Sequence, residues 1–195
     1  MSKDNNIKII KNSVNKCKKC NLFKSRKNAV FGEGSFNTKI ILIGEAPGRN
    51  EDIQGIPFVG RAGKILDELL KSINLERKEI FITNIIKCRP PKNRNPLKSE
   101  IKKCKNFLNK QIKIIDPEII VPLGNFATQF IFEKYKIKIE KIGIVHGKKF
   151  EIKTNDKKII IIPVYHPAVS TYNPKTKETL LKDFQIIKKE LNCLN

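Results

Sequence analysis

The feature that most restricts the fold is a repeated exchange of short apolar runs, turn-forming loops and amphipathic segments. Residues 39–43 (KIILI) form an apolar run closed by Gly44, Pro47 and Gly48, the pattern of a parallel strand buried on both faces. Over residues 62–73 the period changes, and Ile65, Leu66, Leu69, Leu70 and Ile73 recur at helical spacing along one face. Residues 79–86 (EIFITNII) read as a second strand, stopped by Pro90-Pro91 because consecutive prolines cannot continue a ladder. Residues 97–115 read as a helix with Ser99 as a candidate cap, 118–123 as a strand after the Asp116-Pro117 turn, and 125–135 as a helix. A hairpin strand over 144–152, the strongest strand over 158–164 and an amphipathic closing helix over 176–194 complete the order. Repeated βα units predict a three-layer α/β/α fold around a central, mainly parallel four-stranded sheet. The segment before residue 39 is polar, cysteine-bearing and weakly periodic. It is expected to be an N-terminal appendage, residues 1–38, tied onto one domain that spans residues 1–195.

Composition narrows the classes further. With 195 residues, 39% hydrophobic and 30% charged, the chain can bury a core without disulfides, and disordered or collagen-like chains are excluded. Forty Lys and Arg against nineteen Asp and Glu leave a formal charge of +21, of the sign that phosphate attracts. The same Lys, Ile and Asn usage would also follow from AT-rich coding, which leaves a merely lysine-rich solvated surface as the other reading. No apolar run approaches the roughly 18 residues of a membrane span. Residues 1–11 are polar and basic with no signal-peptide core. The expectation is a cytoplasmic protein, monomeric and without a membrane partner.

Four of the five cysteines form a pattern. Cys17-x-x-Cys20 stands in the appendage, Cys88 and Cys104 follow with fifteen residues between them, and Cys193 is left over. Structural disulfides do not persist in the cytoplasm, so a CxxC with two distant partners suggests a tetrahedral four-thiolate site, for which zinc and an iron–sulfur cluster are both suitable; the other reading is one CxxC with two unrelated buried cysteines. A zinc ribbon normally uses two close pairs and this chain has one, which favours iron–sulfur. A metal there would clamp the appendage onto the loop after the second strand and the helix that follows.

Ligands of open parallel sheets bind at the carboxyl ends of the strands, which selects three loops. The first reads Gly44-Glu45-Ala46-Pro47-Gly48, then Glu51-Asp52 and residues 55–63 (GIPFVGRAG). Its glycines let backbone N–H groups approach a ligand, the GK[ST] ending of a P-loop is absent, and Phe58 is either a core aromatic or a platform for a planar ring. The second carries Asn84 at the strand end and then residues 87–94 (KCRPPKNR). A carboxamide there sets an acceptor beside a donor, the complement of an imide edge such as uracil's N3–H and O4. The third, Tyr165-His166-Pro167-Ala168, holds one of the chain's two histidines.

Together, the loops and cysteines resemble the uracil-DNA glycosylase superfamily, and specifically its family-4 iron–sulfur branch. GEAPG is similar to motif 1 of that branch, HPA to motif 2, and GIPFVGRAG and NIIKCRPPKNR to its intervening blocks, so that the resemblance runs from Cys17 to the final helix. It implies that Cys17, Cys20, Cys88 and Cys104 hold a [4Fe-4S] cluster, and that the enzyme flips deoxyuridine out of DNA and hydrolyses its N-glycosidic bond. On this resemblance His166 donates to uracil O2 as negative charge develops, aided by backbone N–H groups around Glu45 and Ala46 next to Pro47. Asn84 reads N3–H and O4, and Phe58 stacks on the ring. Ala46 stands where a better-known branch has a water-positioning aspartate, leaving Glu45 as the nearest carboxylate. Gly48 stands where other branches have a tyrosine that excludes thymine's methyl group, and Glu51 resembles the family-4 residue proposed for that wall.

Arg89, Lys92, Arg94 and Lys175 are then the expected phosphate contacts, with Val169 or Tyr172 as the wedge that supports flipping. The partner is uracil-containing DNA, single- or double-stranded, and a replication clamp or polymerase is the further contact the reading allows. Two rivals stand beside it. One is a superfamily glycosylase for another deaminated base or mismatch. The other is a non-catalytic iron–sulfur DNA-binding module.

Overall fold

The computed structural model describes residues 3–154, 157–171 and 173–194. Its strands are β1 (Glu33–Gly34), β2 (Ile40–Gly44), β3 (Phe81–Asn84), β4 (Ile119–Pro122), β5 (Phe150–Lys153) and β6 (Lys158–Ile161), ordered β1-β3-β2-β4-β6-β5 in one sheet. The inner four, β3-β2-β4-β6, run parallel, while β1 lies antiparallel on β3 and β5 antiparallel on β6. The expected four-stranded sheet is therefore corrected to six strands, four parallel and two antiparallel edges. β1, two residues long, escapes a search for apolar runs, whereas β5 falls in the expected hairpin strand and alternates half-buried and exposed side chains at an open edge.

Helices α1 (Lys3–Asn15), α2 (Arg49–Gln54), α3 (Arg61–Ser72), α4 (Lys98–Ile115), α5 (Asn125–Tyr135), α6 (Ile142–Val145) and α7 (Pro174–Asn192) complete the order. The pleat of β2 sends alternate residues to opposite faces. Ile41 and Ile43 pack with α1, α4 and α5, whereas Ile40 and Leu42 pack with α3 and α7. This is the three-layer arrangement. The hairpin expected from residue 144 begins only at Phe150, because α6 and a left-handed Gly147 (φ 68°) come first. Ser99 does not cap α4. Glu100 takes the N–H of Leu97 at 2.8 Å instead.

The N-terminal segment does more than hang from the body. α1 buries Ile7, Ile10 and Val14 at helical spacing against α4, and β1 extends the sheet. None of the described helices is long and apolar enough to cross a membrane.

Candidate active site

The carboxyl ends of the parallel strands open on a cavity of about 470 Å³, walled by the loops after β2, β3 and β6. Glu45, Ala46, Pro47, Glu51, Phe58, Asn84, Arg94 and His166 line it together. Arg89, Lys92, Val169 and Lys175 are not among its lining residues, and Tyr172 lies outside the described residues. Val169 is 44% exposed on the 310 turn Pro167–Thr171.

The register of β2 against β3 sets Gly44 opposite Asn84. A Cβ on Gly44 would stand 2.4 Å from Asn84 Oδ1 and 2.6 Å from the Phe58 ring, so only glycine lets the amide and the ring share that strand end. Asn84 is 2% exposed, and its carboxamide makes no hydrogen bond among the described residues. Phe58 takes a left-handed φ of 52°, rare for a bulky side chain and typical of sites where surrounding contacts impose it. The imposing group is Arg77. Its guanidinium donates to Pro57 O at 3.0 Å and to Phe58 O, and is held by Asp67 at 2.6 Å and Glu33 at 2.9 Å.

His166 stacks on Phe58 with ring centroids 5.7 Å apart and planes 27° from parallel. Its Nδ1 accepts the N–H of Ala168 at 3.2 Å. In a neutral ring this leaves the proton on Nε2. Burial pulls the His166 pKa down to about 4, outweighing the nearby carboxylate of Glu51, so the neutral donor form is the one present near neutrality.

Glu51 accepts the N–H groups of Val59 and Gly60, both at 2.9 Å, which braces the loop just after Phe58. Its other oxygen projects toward the space that Gly48 leaves open, 2.7 Å from where a Cβ there would stand. Glu45 has no side-chain hydrogen bond among the described residues, and burial raises its pKa above the usual carboxylate value.

Arg94 is spent within the fold. It grips Glu100 with two bonds of 2.9 and 2.6 Å and donates to Asn95 O at 2.9 Å, fastening the loop to the start of α4. That pairing in turn holds the Glu100 carboxyl low. Arg49, Asn50, Arg61, Asn93 and Asn95 also line the cavity and were not singled out from sequence. A signal existed for two of them. Arg49 and Arg61 each follow a glycine that caps a helix, Gly48 for α2 and Gly60 for α3.

A second cavity shares no lining residue with the first. Cys17, Cys20, Cys88 and Cys104 stand around it with Val14, Phe23, Phe107 and the basic residues Lys19, Arg26, Lys87 and Lys103. Arg26 donates to Cys88 Sγ at 3.0 Å. Burial pushes the Cys104 thiol up to about 11 and raises that of Cys88. Among the described residues no group of three or more His, Cys, Asp or Glu side chains is arranged to hold a metal ion. Cys193 is exposed and apart from this group.

The chain matches the model of the uracil DNA glycosylase superfamily over residues 31–188. It is similar to a type-4 uracil-DNA glycosylase of Saccharolobus solfataricus, 48% identical over 96% of this chain and 87% of the relative. A second, from Sulfurisphaera tokodaii, is 49% identical over 92% of this chain and 82% of its own length. A third, from Thermotoga maritima, is 40% identical over 94% and 96% respectively.

Proposed function

Because the chain belongs to the uracil-DNA glycosylase superfamily and within it to the type-4 branch, we propose that it excises uracil from DNA with the residues assigned below. The observation that carries the assignment is the convergence of Asn84, Phe58 and His166 on one cavity, with an unpaired amide and an Nε2–H both available to a ligand.

Deoxyuridine leaves the stack and its base enters the cavity, since C1′ and the base edges are closed inside a duplex. Phe58 stacks on the ring. Asn84 Oδ1 accepts N3–H and its amide donates to O4, a pattern that cytosine meets with both polarities reversed. As the glycosidic bond breaks, its electron pair moves onto uracil, and Nε2–H of His166 donates to O2 where the charge collects. Water adds to C1′ of the oxocarbenium-like sugar and gives up a proton, while the uracil anion takes one up from solvent, leaving an abasic site and free uracil. Glu45 is the carboxylate nearest to hold that water. Glu51, filling the space at Gly48, supports its reading as the wall against thymine's methyl group.

DNA is positioned by Arg89, Lys92 and Lys175, with Arg49 and Arg61 added at the cavity mouth. Arg94 holds the loop in place of a phosphate, and exposed Val169 is the wedge. Cys17, Cys20, Cys88 and Cys104 would hold a [4Fe-4S] cluster. A four-thiolate donor set ringed by Arg26 and Lys87 suits a net-negative metal–thiolate group. When bound, the cluster supplies structural cross-linking of the N-terminal segment to α4. The enzyme works as a cytoplasmic monomer of one domain.

The test is release of free base from oligonucleotides carrying uracil, hypoxanthine, xanthine or a G·T mismatch, alongside the visible absorption of the same sample. Uracil release by a brown protein is expected. Duplex binding without release of any base would establish a non-catalytic module instead.

A further inference from the structure

Beneath the base pocket lies a polar knot that the assignments above leave unused. Lys87 is 1% exposed, and its Nζ donates to Thr83 Oγ1 at 2.6 Å, to the Asn84 carbonyl at 2.7 Å and to Gln111 Oε1 at 2.6 Å. An ammonium has three donors, and all three are spent. The acceptors are tied in turn. Thr83 Oγ1 and Gln111 Nε2 both donate to Phe31 O, at 2.9 and 2.8 Å, and the Lys87 carbonyl accepts the N–H of Val30 at 2.7 Å. The knot therefore joins the N-terminal segment, the end of β3 and the C-terminal part of α4.

Burying an ammonium costs several kcal/mol even after relaxation, and an apolar side chain would fill the same volume more cheaply. Support for β3 alone does not explain the choice. What a cation adds is a directional hold on the Asn84 carbonyl at the last residue of the strand. No carboxylate is among its hydrogen-bond partners, so the three acceptors alone hold the ammonium, and Lys87 also lines the cysteine cavity.

We propose that Lys87 is a positioning residue for base recognition: its grip on the Asn84 carbonyl sets the direction of the Asn84 carboxamide. The inference rests on the reading of Asn84 as the recognition amide. It makes Lys87 act through Asn84 and not on the base itself.

The experiment has two arms. In the first, the Asn84 side-chain N–H signals, identified by their loss in Asn84→Ala, are recorded by NMR in the parent and in Lys87→Met. Shifted or broadened signals are expected, and unchanged signals in folded Lys87→Met would overturn the proposal. In the second, single-turnover uracil release is measured for Lys87→Met, Asn84→Ala and the double variant. Lys87→Met should slow release about tenfold or more in the parent, since it strands three buried acceptors, yet less than about twofold when Asn84 is already Ala. Equal slowing in both backgrounds would mean general support and would sink the idea. If Lys87→Met does not fold, Thr83→Val removes one acceptor and keeps the charge. It should give a smaller loss with the same dependence on Asn84, and a loss independent of Asn84 would again overturn the proposal. A parent that releases no uracil would fail the reading of the pocket, while the Asn84 signals would still judge Lys87.

Discussion

In the base pocket, Asn84 and Glu45 present side chains that make no hydrogen bond among the described residues, whereas in the cysteine cavity Cys88 is held by Arg26 and the walls include Val14, Phe23 and Phe107. The first region leaves polar groups uncompensated at a cost to stability, which is repaid only when a ligand supplies their partners. The second gathers four thiols around an apolar wall and has no open polar edge. Function is to be sought where satisfaction is withheld, and stability where it is supplied. Substitutions in the two regions should then separate cleanly, rate without stability in one and stability without selectivity in the other.

The largest separation is expected at His166. Removing a donor aimed at developing negative charge costs about 10² to 10³ in rate, so His166→Ala should lose that much in single-turnover uracil release while melting no lower than the parent. A loss below about tenfold would move charge stabilisation to the backbone groups of the first loop. Next comes Asn84→Asp, which presents an acceptor to O4. An unsatisfied buried group costs about 1–3 kcal/mol and more when charged, so a loss of at least roughly tenfold is expected. A protonated Asp would donate to cytosine N3 and accept from its amine, so slow cytosine release accompanies the loss. Matched oligonucleotides carrying uracil or cytosine check both, and a variant as fast as the parent on uracil would reduce Asn84 to a turn residue.

The two regions also differed in how much the sequence disclosed. The parallel strands and the glycine-rich loops were legible because apolar runs and turn residues act over a few neighbours, and Glu45, Phe58, Asn84 and His166 do meet in one cavity. Partnerships across the fold left no such mark. Arg94 looked like one more basic residue on a rim, yet its fork is closed on Glu100 across a helix start. Lys87 was one of forty Lys and Arg residues, and nothing local distinguishes the one whose ammonium is buried against Thr83 and Gln111. In α1, Ile7, Ile10 and Val14 sit among lysines and asparagines, so a readable spacing was masked by low mean hydropathy, and the segment passed for an appendage.

On the cysteine side, Cys104→Ala should lower the melting temperature by several degrees. Loss of one ligand loosens α4 from the N-terminal segment, and metal-binding free energy in small sites is largely folding free energy. The iron content and visible absorption should fall with it. The preference of the folded fraction for uracil over cytosine should stay within about twofold, because the two cavities share no lining residue. A preference that collapses while the melting temperature holds would mean that the cysteine site takes part in recognition directly.

The smallest effect is an absence of pH dependence where a histidine enzyme would ordinarily show one. With its pKa drawn from 6.5 to about 4 by burial, His166 stays neutral and keeps its Nε2 proton across the physiological range. The rate of uracil release should therefore show no step near pH 6.5. The acid limb that does appear should belong to Glu45, whose raised pKa brings its protonation above the usual carboxylate range, and Glu45→Gln should remove that limb along with much of the rate. Stability carries the complementary sign. Between 6.5 and about 4 the unfolded chain binds a proton at this position and the folded protein does not, so the contribution of His166 is complete above 6.5 and is lost as the pH falls through that window. Replacement by Phe should flatten that part of the stability profile. A rate step near pH 6.5 that vanishes in His166→Gln would show instead that the imidazole titrates as it does in water, and that the pocket is wetter than its walls imply.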